Sequence, residues 1–253
     1  MQLNETQCQV QHSHLLRQLP NTWFESTCAQ LKADIDDSKL TNIDSLAANW
    51  CHYSAQAGRE YADLQMQEEL MAWQAESGLF KMTLIETIRL QLLAYTLLHL
   101  LPSLRFKLFK YCVRYSDDNE KQAVVKGLEL LDRNGSCKAL IVDLCRTNNT
   151  ALFAAIALSN AWPAKHFSDV EFEQMLLKAL FSDFNIDLIV GLKKRHSQRL
   201  SQLAFDYLSE RALAQRSWPC SIYSAIDPKH LTGEQKARLA LLPLQVQTLL
   251  SRY

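Results

Sequence analysis

Apolar residues recur along this chain at the three- and four-residue spacing of an α-helix, and the recurrence restarts behind side chains that cap helix N-termini. After Thr41 come Ile43, Leu46, Ala47 and Trp50; after Asp117 come Val124, Val125, Leu128 and Leu131. Both stripes keep a period of about 3.6 residues. Thr83 with Glu86, Ser168 with Glu171 and Thr232 with Gln235 have the spacing of a capping box, in which each side chain bonds the other residue's backbone N–H. Asp117 with Glu120 is a carboxylate version, and Thr41 with Asp44 an imperfect one. The same spacing predicts helices over about 5–18, 22–37, 61–75, 103–115, 136–146, 150–159 and 198–214. Asn134-Gly135 is expected to end the helix begun at Asp117, because glycine accepts the left-handed conformation common just past a helix end.

The most apolar stretch is LQLLAYTLLHLLP, Leu90 to Pro102. A membrane span needs about 20 apolar residues, so this run is too short. It predicts a central core helix, with residues 84–101 mostly buried. No alternating apolar and polar run bounded by glycine-rich turns stands out, so no sheet is expected. The pattern predicts an all-α fold: an irregular stack of helical hairpins, either α-solenoid-like or an orthogonal bundle, without a fixed-period repeat. The polar stretch DDSKLTN, Asp36 to Asn42, reads either as a boundary behind an N-terminal helical pair or as an ordinary helix connection. A single domain over 1–253 is the preferred reading.

Composition and motifs sharpen this picture. With 48% hydrophobic and 21% charged residues, the chain is neither disordered nor wholly membrane-embedded. Twenty-seven basic residues balance 27 acidic ones, so no global charge draws it to nucleic acid, and no nucleic-acid partner is expected. The N-terminus MQLNETQCQVQHSH has no basic segment followed by an apolar one, which predicts no secretory signal and a cytoplasmic location. The seven cysteines form no Cys-x-x-Cys pair, and most are expected to be buried thiols. Cys8 and His12 share a helix face, as do Cys137 and Cys145, but two ligands do not make a zinc site. No metal or cofactor is expected. The chain contains no glycine-rich phosphate loop, HExxH or nucleophile elbow, so no motif argues for an enzyme.

Candidate chemistry concentrates in RTNNTALFAAIALSNAWPAKHFSDVEFEQMLLKALF, which starts at Arg146. Pro163 disfavours the α conformation at Trp162, so the helix from Thr150 should end before it and the chain should turn through Trp162 to Phe167. Phe167 and Phe172 flank the Ser168 cap at the spacing of a hydrophobic staple. Asn160 is expected to hold the bend by hydrogen bonding. His166 with Lys165 and Lys178 forms a candidate anion or carboxylate pocket, weighed against a solvated basic loop over an inward Trp162. Lys193-Lys194-Arg195-His196 precedes the cap Ser197, a second place where an anion could meet a helix N-terminus.

Arg146-Thr147-Asn148, IALSNAWPAKHF, EQMLLKALF and the later IVGL together resemble the core signature of the EboA family of bacterial helical proteins. The resemblance is specific over about Leu140 to Arg211 and extends upstream to about Leu46, giving an EboA-like region of about 46–215 behind an N-terminal helical extension, 1–40. The family pattern of Asn, aromatic, Pro, Ala and Phe is kept by Asn160, Trp162, Pro163, Ala164 and Phe167. Lys165 stands where an acidic residue is usual, His166 where an aromatic is usual, and Glu173 where an amide is frequent. The resemblance implies a helical protein encoded beside a prenyltransferase-like membrane protein and hydrolase- or isomerase-like enzymes, in a pathway moving secondary-metabolite precursors out of the cytoplasm. It implies a setting and no reaction. The expectation is therefore a non-catalytic component that binds another ebo pathway protein or a small metabolite. It has no transmembrane segment, and peripheral membrane contact is left open. The alternative is a helical enzyme acting on an isoprenoid or phosphorylated precursor. The candidate ligand-contacting residues are Arg146, Asn148, Asn160, His166, Lys178 and Arg195, and the structural motif is Trp162, Pro163, Phe167 and Ser168.

Overall fold

A computed structural model describes residues 1–19, 22–37, 42–62, 71–75 and 78–250. The fold is all-α, and the chain forms two compact units, Met1–Ile156 and Ala157–Tyr253. In the first unit the helices are α1 (Glu5–Gln18), α2 (Trp23–Asp37), α3 (Ile43–Glu60), α4 (Leu84–His99), α5 (Pro102–Tyr115), α6 (Asp118–Lys126), α7 (Leu128–Leu131), α8 (Lys138–Leu144) and α9 (Thr150–Ala157, whose last residue falls in the second unit). The second unit contains α10 (Trp162–His166), α11 (Asp169–Phe181), α12 (Gln198–Leu213), α13 (Gly233–Leu239) and α14 (Leu244–Leu250), joined by short 3-10 turns.

The caps sit where the spacing placed them. Thr83, Asp117, Ser168 and Thr232 each accept from the N3 amide while the N3 side chain accepts from the cap's own N–H. The start of α3 differs: Asn42 caps it, accepting from the Ser45 amide at 3.0 Å, while Thr41 lies outside the described residues. The helix expected over 61–75 is a second correction at its C-terminal end, 71–75, residues 63–70 lying outside the described residues. Strand β1 (Met71–Ala75) pairs antiparallel with β2 (Gly78–Met82), Met71 opposite Met82 and Ala75 opposite Gly78. Helical spacing was a poor guide there, because a short apolar run reads alike in either structure. The hairpin is confined to these residues and leaves the all-α class intact.

Helix α4 is the hub of the first unit, packing against α1, α2, α3, α5 and α6. Leu90, Leu92, Leu93, Ala94 and Leu97 are completely buried. Its polar side chains donate within the core: Thr87 to the Thr83 carbonyl, Thr96 to Leu92, and Gln91 Nε2 to the Cys8 carbonyl of α1 at 2.5 Å, while Gln91 Oε1 is buried without a partner among the described residues. The helical stripe after Asp117 is broken into α6 and α7 at Gly127. A Cβ there would lie 2.3 Å from Leu90 Cδ1, so close approach of α4 requires glycine. Gly135, at φ 74°, ends the segment in the left-handed conformation.

The buried thiols are held protonated. Burial raises Cys8 and Cys28 to about 12 and Cys51 to about 11, in each case aided by a nearby carboxylate. His12, on the face it shares with Cys8, stacks on Tyr95 at 4.8 Å and tilts against Phe24 at 5.4 Å. Burial lowers its pKa below 6.5, the charge of His99 lowers it further, and Glu25 opposes both. A base with a depressed folded-state pKa contributes stability that is present above its unfolded pKa and is lost as pH falls through the folded value. Lowering the pH from about 7.5 to about 5.5 should therefore reduce the urea midpoint more in the native protein than in His12→Phe. Equal losses in the two would show that His12 is not responsible.

Candidate functional site

The dense tract of the second unit is built around α10. The chain leaves α9 through Ser159, whose φ of 53° is left-handed and whose amide donates to the Leu188 carbonyl at 2.8 Å. Asn160, buried, then accepts from the Trp162 amide at 3.0 Å. The turn expected through Trp162–Phe167 is instead the five-residue α10, with Pro163 in its first turn. Proline is tolerated there because an N–H at that position has no intrahelical partner, which outweighs its restriction of the preceding residue.

Arg195 holds this short helix from its C-terminal side. Its Nη1 donates to the Phe167 carbonyl at 2.8 Å and to Ala164 at 3.3 Å, Nη2 meets Asp169 Oδ1 at 2.6 Å, and the guanidinium lies 4.6 Å over the Phe172 ring. Cationic donors suit the exposed carbonyls at a helix C-terminus. Gly191 completes the seat: it has φ +86°, and a Cβ on it would come within 2.7 Å of Ala164 Cβ. Trp162 is fully buried, edge-on to Phe167 at 6.1 Å and 4.7 Å from the His166 ring. Phe167 and Phe172 are both buried on either side of the Ser168 cap, as a staple requires.

Of the candidate ligand residues, His166 is on α10, Asn160 bonds its first residue and Arg195 bonds carbonyls at its C-terminal end, while Lys178 lies in the last turn of α11, half-exposed. Arg146 and Asn148 belong to the first unit and are exposed; Arg146 faces Asp143 at 3.5 Å. Their neighbour Asn149 has a structural task, capping α9 through the Leu152 amide and donating to Asp118 at 2.8 Å. The basic stretch before α12 divides. Lys193 and Lys194 are exposed, Arg195 turns inward, and His196 stands 5.9 Å from His230. The N-terminus of α12 is already served by a protein carboxylate: Ser197 accepts from the Leu200 amide at 2.9 Å and donates to buried Glu173 at 2.8 Å, and Glu173 meets Arg199 at 3.3 Å. That carboxylate supplies the negative charge a helix N-terminus attracts.

One feature escaped the sequence reading. An open cleft of about 440 Å³ is lined by Asp183, Asn185, Asp187, Pro219, Cys220, Ser221 and Ser224. Its signal is DFNID, where Asp183, Asn185 and Asp187 alternate outward around buried Ile186. The alternation is too short to register against the helical periodicity around it. Among the described residues, no helix is long and apolar enough to cross a membrane.

No curated protein and no solved structure shows significant similarity to this chain. The family described as metabolite traffic protein EboA matches residues 9–227, reaching well upstream of residue 46 to take in most of α1 and all of α2. A match over that much of the sequence, including the whole α10 seat, establishes that the chain belongs to the EboA family.

Proposed function

We propose that this chain is a non-catalytic cytoplasmic component of metabolite traffic that binds a partner protein or a small metabolite in an ebo-type secondary-metabolite pathway. The observation that carries this reading is the construction of α10. Asn160 fixes its start, Gly191 accommodates its middle and Arg195 ties down its end, so the helix is held by its own chain. A surface held this way binds without a large ordering cost. Exposed Lys165 and half-exposed His166 are presented from it, and both suit an oxyanion or carboxylate on whatever is bound. Within the candidate set, Asn160 and Arg195 act as positioning residues, and His166 and Lys178 act as contacts.

Binding without turnover has a direct test. The protein purified from cells that contain the neighbouring genes should retain a neighbouring gene product or a small molecule in native mass spectrometry. Pathway intermediates added to it should keep their mass. A protein that retains neither would contradict the binding reading, and a change in an intermediate's mass would establish the helical enzyme instead.

A further inference from the structure

We propose that the end of α11 and the connector behind it form a docking surface for a partner-protein segment carrying basic side chains around an apolar anchor. This goes beyond the α10 reading and concerns a separate surface. Phe181, the last residue of α11, leaves 63% of its surface exposed, although it packs edge-on against Tyr207 of α12 at 4.8 Å. Tyr207 is held by its hydroxyl, which donates to the Leu180 carbonyl at 3.4 Å. Seven residues on, Leu188 is also exposed, at 48%. Large apolar groups displayed on a fixed frame are the composition of an interface centre.

The chain between Phe181 and Leu188 supplies Asp183, Asn185 and Asp187 to the acidic cleft. Asp183 occupies a left-handed φ of 61° in the α11 C-terminal turn, where the Asp183 amide donates to Leu180 and the Phe184 amide to Ala179. Ser221 Oγ accepts from the Ile186 amide and Asn185 accepts from the Asp187 amide, both at 3.0 Å, so the walls are tied together. Two carboxylates line the cleft and no Lys, Arg or His does. Arg211, whose guanidinium lies 5.8 Å from the Tyr207 ring, donates its Nε to the Ser217 carbonyl, and Lys178 stands one turn before Phe181 on α11.

Charge complementarity selects the occupant. The cleft, about 440 Å³, has room for a lysine or arginine side chain, and exposed Phe181 and Leu188, next in sequence to its acidic wall, call for an apolar neighbour on the same segment. A small cation alone would leave both apolar groups uncovered. A second copy meeting this face symmetrically would set Asp183 and Asp187 against their own kind. Phosphate-rich partners are repelled for the same reason.

Two synthetic helical peptides with identical apolar residues, one flanked by lysine and arginine and the other by glutamate, would be titrated into the full-length ¹⁵N-labelled protein. The basic peptide should shift the amide resonances of residues 183–188 and 221–224, and the acidic one should not. Asp183→Asn/Asp187→Asn and, separately, Phe181→Ala should each weaken the basic peptide about tenfold or more, with added salt weakening it further. Unmoved resonances at those residues, or equal affinity in the variants, would overturn the proposal. So would a concentration-dependent dimer in light scattering that Phe181→Ala abolishes. A failure here leaves the retention experiment above with its own independent result.

Discussion

Trp162→Ala is expected to lower stability by about 3–5 kcal/mol, the usual cost of deleting a large aromatic from a closed core. Trp162 has no exposed surface, and the groups around it have little freedom to close the void. Phe167 is pinned through its carbonyl by Arg195, Asn160 is bonded to the Trp162 amide itself, and Ala164 lies against Gly191. A site that cannot collapse keeps the cavity, which is why the expectation sits in the upper part of the range for core truncations. His166→Ala, which removes a half-exposed ring 4.7 Å from Trp162, should cost about 1 kcal/mol. Urea unfolding of the two variants separates them. A Trp162→Ala protein within about 1 kcal/mol of the native one would mean that α10 is not the keystone of its surroundings.

Much of this seat was legible in the sequence. Ser168 with Glu171 and the flanking Phe167 and Phe172 declared the start of α11, because capping is a local matter of side chains reaching the nearest free amides. Asn160 was readable as the holder of the bend for the same reason. Arg195 was not: it stands in a run of four basic residues, and only the fold reveals that it turns back 28 residues to Phe167 while Lys193 and Lys194 face water. Gly191 was silent too, since its contact with Ala164 is made across the fold. Glu173 looked like a simple departure from the family pattern, whereas here it bonds Ser197 and Arg199 at the head of α12. Local rules identified the helix starts, but long-range bonds determined which charges are architectural and which face outward. The hairpin Met71–Ala75 with Gly78–Met82 failed a different rule, as its length is too short for periodicity to separate strand from helix.

That division between architectural and outward-facing charge yields the second large effect. His166→Ala and Lys178→Ala should abolish the movement of the pathway metabolite out of the cell while leaving the melting temperature within a few degrees of the native protein, because both side chains are half-exposed. The metabolite needs no prior identification: it is the species present in the culture medium of a strain complemented with the native gene and missing from that of the deletion strain. The decisive measurement is the amount of that species in the medium of deletion strains carrying each variant, made beside thermal unfolding of the same proteins. Export falling to the deletion level, with melting temperatures shifted by no more than a few degrees, is the predicted result. Full export by both variants would contradict α10 as the contact surface for what this protein binds.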